Sequence, residues 1–263
     1  MGILNVTPDS FSDGGKFIHL DKALSQAQYM EKNGADIIDI GGESTRPGAI
    51  SVSVKEEINR TIPVIEEIRK ISNISISIDT YKSEVAEKAL LAGADFINDI
   101  SGFTFDSRMM EIVKKFDVPV VLMHIKGTPQ DMQTNPTYID VIKDLLEFFS
   151  FQINKALDFG IKKVQIIIDP GIGFGKQLND NFILIRRLKE FSELGFPILI
   201  GPSRKSFIGL TLDSPPEYRL EGTLAAVSAG ILNGASIVRV HDVKEVKRTV
   251  IITDKIMGTD TQV

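Results

Sequence analysis

The chain has 263 residues, 43% of them hydrophobic, with 30 Lys and Arg against 35 Asp and Glu, for a formal net charge of −5. That length suits one α/β barrel of about 250 residues, and the acidic balance excludes a global basic field for nucleic acid, so any anion site must be local. The absence of cysteine excludes disulfides and thiolate metal sites. No apolar run reaches the roughly 18 residues of a membrane span and no basic-then-apolar leader opens the chain, so the cytoplasm is the expected compartment.

In chain order, Ile3-Leu4 runs into Asn5 and reads as the middle of a first strand, so a preceding segment is expected. A long loop of turn formers, residues 6–19, leads to helical spacing over 20–33, with Leu24, Ala27 and Met30 apolar and Asn33-Gly34 as the stop. Ile37-Ile38-Asp39-Ile40 runs into Gly41-Gly42-Glu43 and a second long loop over 41–54. Residues 55–71 put Ile58, Ile62, Ile65 and Ile68 on one helical face, with a kink expected at Pro63. Ile76-Ser77-Ile78 runs into Asp79, and a helix over 83–92 ends at Gly93. Phe96-Ile97 leads to Asn98, and Val120-Val121-Leu122-Met123 to His124. A helix over 138–159 ends at Gly160, Ile166-Ile167-Ile168 leads to Asp169, and a helix over 182–194 ends at Gly195. Ile198-Leu199-Ile200 enters Gly201 and Ser203-Arg204-Lys205, and a helix over 223–233 ends at Gly234. Ile237-Val238 enters Arg239-Val240-His241, and a helix over 242–257 closes the pattern. Glycine after most helices fits a left-handed cap. Eight apolar runs, nearly all separated by helical segments and without a linker, predict a single-domain (β/α)8 (TIM) barrel over residues 1–263.

Chemistry in such a barrel collects at the carboxyl ends of the strands. Residues two apart on a strand share a face, so Ser75, Ser77 and Asp79 point inward together, as do Arg239 with His241, Asp169 with Ile167, and Asn98 with Phe96. Each residue also has a plainer reading. Asn98, Asp99 and Asp242 suit helix caps, and Asp169 before Pro170-Gly171 suits a turn. His19 suits a surface loop, Lys205 a solvated position, and His124 suits packing as well as ligation. Gly171-Ile172-Gly173-Phe174-Gly175-Lys176 lacks the spacing of a phosphate loop, and predicts instead a backbone that approaches a flat ligand closely, with Phe174 beside it. Asp79, Asn98 and Asp169 as acceptors, with Lys205 as donor, suit a flat heterocycle with amino and ring N–H groups. Arg46, Arg239, His241 and Asn5 suit a phosphate or diphosphate, on which a magnesium ion would be carried with one or two protein oxygens.

The stretch Gly2-Ile3-Leu4-Asn5-Val6-Thr7-Pro8-Asp9-Ser10-Phe11-Ser12-Asp13-Gly14-Gly15 resembles the opening signature of the dihydropteroate synthase family of pterin-binding enzymes. Gly41-Gly42-Glu43-Ser44-Thr45-Arg46-Pro47-Gly48 is similar to its second signature. Ile78-Asp79-Thr80, Asn98-Asp99, Asp169 through Lys176, Ser203-Arg204-Lys205-Ser206 and Arg239-Val240-His241-Asp242 match in order. The resemblance implies a folate-pathway transferase that joins 6-hydroxymethyl-7,8-dihydropterin diphosphate to 4-aminobenzoate by dissociative substitution. It implies that Asp79, Asn98, Asp169 and Lys205 hold the pterin, with apolar contact from Met123 and Phe174. Asn5 would bind magnesium or diphosphate, and Arg239 and His241 the diphosphate, so that Asp79, Lys205, Arg239 and His241 form the catalytic set. Thr45 and Arg46 would lie in the loop that shapes the site, Ser206 and Phe11 would frame 4-aminobenzoate, and the enzyme would be a homodimer paired through late helices. Two rivals share the pterin acceptors: a methyltransferase domain working with a corrinoid protein, and a non-catalytic pterin-binding protein. The Ser203–Ser206 stretch and the Thr45-Arg46 loop favour the synthase over both.

Overall fold

The computed structural model describes residues 1–7 and 16–259, the backbone alone over 16–19. Its elements run β1 (Gly2–Asn5), α1 (Lys16–Lys32), β2 (Ile37–Gly41), α2 (Val54–Ile71), β3 (Ser75–Asp79), α3 (Ser83–Leu91) and β4 (Phe96–Asp99). They continue with α4 (Met109–Phe116), β5 (Val120–Met123), α5 (Val141–Phe159), β6 (Ile166–Asp169), α6 (Leu178–Arg186) and β7 (Leu199–Ile200). The last are α7 (Ser206–Leu212), α8 (Leu220–Leu232), β8 (Ile237–Val238) and α9 (Val243–Met257).

Strands β1 to β6 pair in parallel in sequence order, and β7 pairs with β8. Two narrower links complete the circle. Ile168 bridges to Ile198, and Gly2 bridges to Val240. The Ile3 amide donates to the Val240 carbonyl at 2.9 Å, and the Val240 amide to the Met1 carbonyl at 3.0 Å. The architecture is the predicted (β/α)8 barrel.

Period-two alternation builds two cores. The outward isoleucines Ile38, Ile40, Ile76, Ile78, Ile97 and Ile168 pack against the helices, each burial stabilising by about 1.5–3 kcal/mol. The inward set at the floor is smaller: Met1, Phe96, Val121 and Leu199, with Ile37, Ile167 and Ile237 against them. Above that floor the inward positions turn polar. Register places Ile3, Asp39, Ser77 and Phe96 in one row across β1 to β4, and Asn5, Gly41, Asp79 and Asn98 in the next row up.

The structure departs from the sequence pattern in several helices. α1 starts at Lys16, inside the stretch expected as loop, so His19 lies in a helix. α2 runs through Pro63 to Ile71, capped by Ser53, whose hydroxyl accepts from the Glu56 amide at 3.2 Å. α5 begins at Val141 because Asp140 caps the amides of Ile142 and Lys143. The segment expected as one helix over 182–194 splits at Arg187, where φ −104° and ψ 17° break the α geometry, and continues as a 3-10 helix over Leu188–Leu194. α4 and α7, of eight and seven residues, are too short to show a clear helical period.

Candidate active site

The upper polar row and the layer above it form one enclosed slot. Thr45, Asp79, Asn98, Ile100, Met123, Asp169, Ile172, Phe174, Gly201, Lys205 and Arg239 line it, which brings together the six expected pterin contacts with Thr45 and Arg239. Asp79 ends β3, Asn98 lies on β4, Met123 ends β5 and Asp169 ends β6, so parallel pairing alone delivers them to one end. Lys205 lies beyond β7 on a turn in which Arg204 takes the left-handed φ of 56°. Three contacts hold that turn: the Arg204 amide donates to the Thr223 hydroxyl at 3.0 Å, its guanidinium pairs with Asp242, and Arg219 donates to its carbonyl at 3.0 Å. Asp242 is thus a partner for Arg204, not a side-chain cap of α9.

The slot's polar groups are buried, and several lack partners. Asp79 Oδ1 and Asn98 Oδ1 are fully enclosed and make no hydrogen bond. Such atoms are expensive to leave unmatched, so they ask for a donor from a ligand. Asp169 Oδ1 accepts from the Gly171 amide at 2.7 Å, a turn contact that leaves its second oxygen for the slot. The Lys205 ammonium sits 3.9 Å from the centre of the Phe174 ring. About 20 Å³ of space remains, room for roughly one water.

Burial sets the protonation of these groups. It pushes the Asp79 carboxyl up to about 7, with the Asp39 charge adding to the shift against the pull of Arg239. It pushes Asp169 up to about 6 and draws the Lys205 ammonium down to about 8. His241 is lowered to about 4 by burial and then by Arg239 and Arg204. At neutral pH His241 is therefore an uncharged hydrogen-bonding group, with Nδ1 3.0 Å from the Ser203 hydroxyl.

Arg239 also differs from expectation. Instead of facing only an open anion site, its Nε donates to Asp39 Oδ2 and its Nη2 to Asp79 Oδ2, each at 2.6 Å. The register that points it inward with Ile237 places it against the carboxylates of β2 and β3. Asn5, Arg46 and His241 gather in a second recess, with α1 residues Asp21, Ser25 and Tyr29. Gly41 stands between the two recesses in the register, and a Cβ there would lie 3.5 Å from Asp79 Oδ2 and 3.6 Å from Asn5 Oδ1. Ser206, exposed at the start of α7, falls in a third recess with Asn135, Lys176 and Phe207. Phe11 lies outside the described residues.

The glycine stretch after β6 packs closely against the chain that follows β5. A Cβ on Gly171 would come 2.1 Å from the His124 carbonyl oxygen, and one on Gly175 2.4 Å from the Lys126 carbonyl oxygen, both at positive φ. These glycines let the loop press on the segment just after β5, while Ile172 and Phe174 from the same loop line the slot. Lys176 holds it there, donating to the His124 and Phe174 carbonyls and facing His124 Nδ1 at 2.9 Å. His124 is a packed residue of that contact. Asp99 likewise organises its own turn, accepting from the amides of Ser101 and Phe103 at 2.8 Å.

Several contributors escaped the sequence reading. Asp39, fully buried on β2, binds both Arg239 and Asn98. Its signal was available, since a charge two residues before Gly41 shares that residue's inward face. Glu43 clamps the base of the second loop by accepting from the Val52 amide at 2.8 Å, Tyr81 at 2.8 Å and Lys82 at 2.6 Å. Lys82 also reaches Glu57 at 2.6 Å. These partners are far apart in sequence, so no motif announces them. The clamp leaves Arg46 exposed at the tip of the loop, which docks through the Gly48 amide on the Pro129 carbonyl at 2.9 Å.

A parallel barrel whose mouth surrounds a slot with buried, unmatched acceptors beside an aromatic ring is suited to the class of proteins that take a flat ligand bearing N–H donors. Residues 1–241 match the family profile described as "Pterin binding enzyme", and the chain belongs to that family. It is 52% identical over 255 residues to a Synechocystis protein named dihydropteroate synthase, covering 97% of this chain and 88% of that protein. A Bacillus subtilis protein of the same name is 50% identical over 258 residues, covering 98% and 88%. Among solved structures, a dihydropteroate synthase of Clostridium difficile in the presence of pteroic acid superposes with a TM-score of 0.93 at 48% identity, over 97% of this chain and 95% of that one. The Xanthomonas albilineans enzyme with 4-aminobenzoic acid gives 0.92 at 42% identity, over 99% and 93%.

Proposed function

We infer that this chain catalyses the dihydropteroate synthase reaction of folate biosynthesis. In that reaction 6-hydroxymethyl-7,8-dihydropterin diphosphate and 4-aminobenzoate give 7,8-dihydropteroate and diphosphate. The observation that carries this reading is the pair of unmatched buried acceptors, Asp79 Oδ1 and Asn98 Oδ1, facing a slot walled by Met123 and Phe174. Asp79, Asn98 and Asp169 accept from the ring N–H and amino groups, and Lys205 donates to the ring's acceptor edge. The bond from the pterin methylene carbon to the diphosphate oxygen breaks first, its electron pair leaving with diphosphate. The amine nitrogen of 4-aminobenzoate then forms the new bond and loses a proton. Catalysis is mainly orientation and electrostatics.

Asn5, Arg46 and His241 share the second recess and Arg239 lines the slot, and these residues are assigned to the diphosphate. A hard cation carried on diphosphate needs few protein ligands, and Asn5 offers one neutral oxygen there, so Mg2+ fits the donor set. When bound, that ion supplies charge neutralisation on the leaving group. Thr45 lines the slot and Arg46 stands at the loop tip, while Ser206, in the third recess, is assigned to 4-aminobenzoate. The whole chain is taken as one barrel domain. A homodimer is proposed through late helices, where Leu210, Leu212 and Leu232 are exposed. Among the described residues no helix is long and apolar enough to cross a membrane, and the cytoplasm is the proposed compartment.

The test is magnesium-dependent release of diphosphate when both substrates are supplied, with the product identified by mass. A corrinoid-linked methyltransferase or a simple pterin binder releases none. The same preparation should bind 4-aminobenzoate weakly alone and well once a pterin analogue, Mg2+ and diphosphate are present, because the first ligands complete the surface that frames the second. Equal affinity under both conditions would exclude that ordered mechanism.

Pterin affinity should depend on pH with a defined sign. The folded carboxyls of Asp79 and Asp169 titrate near 7 and 6, above their ordinary values, and ring N–H donors prefer the ionised forms. Calorimetric affinity should therefore rise with pH through 6 to 7, then fall above about 8 as Lys205 loses its proton. A flat profile from pH 5.5 to 7.5 would contradict the placement of both carboxyls against the ring.

A further inference from the structure

Asn98 can recognise a ligand in two ways, since its amide presents either an acceptor or two donors to the slot. Nothing in Asn98 itself makes the choice. Its Nδ2 donates to Asp39 Oδ2 at 3.1 Å, which leaves Oδ1 enclosed and unmatched at the slot. The reverse orientation would set a carbonyl oxygen against a carboxylate oxygen, with no hydrogen between them.

Asp39 lies one inward row below Asp79, beneath Gly41, with no exposed surface. It does not line the slot. The same Oδ2 also accepts from Arg239 Nε at 2.6 Å, so the guanidinium fixes the carboxylate that in turn fixes the amide. Arg239 keeps a second carboxylate partner in Asp79. We propose that Asp39 is a positioning residue for substrate recognition: by holding the amide hydrogens of Asn98, it obliges the slot to meet a ligand with an acceptor, and so selects an edge bearing N–H donors. This rests on the reading of the slot as the pterin site and adds a determinant that touches no ligand.

The role separates from one of simple charge balance through conservative variants. Asp39→Asn retains an oxygen that can accept from both Asn98 and Arg239, whereas Asp39→Ala removes it. Asn98→Ala removes the amide itself, so a residue that acts only through that amide adds little further loss when it is removed as well.

The experiment is calorimetric titration of the folded proteins with 6-hydroxymethylpterin, alongside thermal melts. Asp39→Asn should bind within about threefold of wild type, and Asp39→Ala should bind at least about tenfold more weakly, the order expected for losing one oriented hydrogen bond. Asn98→Ala should lose at least about tenfold, and adding Asp39→Ala to it should change the affinity by no more than about threefold. Wild-type affinity in Asp39→Ala, or a further full loss when it is added to Asn98→Ala, overturns the proposal. Equal loss in Asp39→Asn and Asp39→Ala overturns it in favour of charge balance. Should Asp39→Ala fail to fold, Asp39→Leu, which fills the space without an acceptor, takes its place in both comparisons. Failure of the wild-type protein to bind the pterin would instead overturn the reading of the slot.

Discussion

Asp169→Asn is expected to weaken pterin binding by about ten- to a hundredfold while leaving the barrel folded. The carboxylate ends β6 and is nearly fully buried, with Oδ1 accepting from the Gly171 amide. An asparagine carbonyl can keep that turn contact, so the loop carrying Phe174 should stay in place. The second oxygen becomes an NH2 group and faces the donors of the ring. Losing a charged hydrogen bond of about 1.5–3 kcal/mol accounts for the range. Calorimetry with a pterin ligand reads the affinity and a thermal melt reads the fold. Unchanged affinity would remove Asp169 from the site.

Arg239→Met should be more damaging, because it acts on stability as well as on the reaction. The guanidinium separates Asp39 from Asp79, and both carboxylates are almost inaccessible to water. Removing one partner from a buried ion cluster typically costs about 3–5 kcal/mol, since the remaining charges lose their compensation. For a chain of this size that corresponds to a fall in Tm of roughly 6–20 °C. Synthase turnover should be lost even at temperatures where the variant is folded. Arg239→Lys should fall between the two, since one ammonium cannot serve both carboxylates with the geometry of a planar fork. A melting temperature within about 2 °C of wild type for Arg239→Met would show that the cluster is compensated in another way.

The pairing of these charges marks the boundary of what local pattern can reveal. The inward direction of Asp79, Asn98, Asp169 and Arg239 was legible, because side chains in a strand alternate with a period of two and the outward positions were isoleucine or valine. Their arrival at one end was legible as well, since parallel strands joined by helices have no other arrangement. What Arg239 does there was not. Its partners lie 200 and 160 residues away, and their distance is set only when β8 closes against β1. The same holds for Glu43 with Lys82, which converts a turn-rich stretch into a clamped loop, and for Lys176 with His124.

Helices divide along the same line. Those over 138–159 and 242–257 were visible because 15 or more residues repeat the apolar period and a glycine follows. α4 and α7 were not, having two turns each and depending on the neighbours they pack against. The sequence by itself determined the number and direction of the strands, the apolar floor of the barrel and the polar character of its mouth, because these follow from composition and alternation within a few residues. Only the tertiary structure decided the working state of the mouth. It made His241 neutral and raised the carboxyls of Asp79 and Asp169. It also gave Arg239 two acidic partners and turned the Asn98 amide nitrogen toward Asp39. Desolvation and long-range contact arise when the strands assemble, and no single segment encodes them.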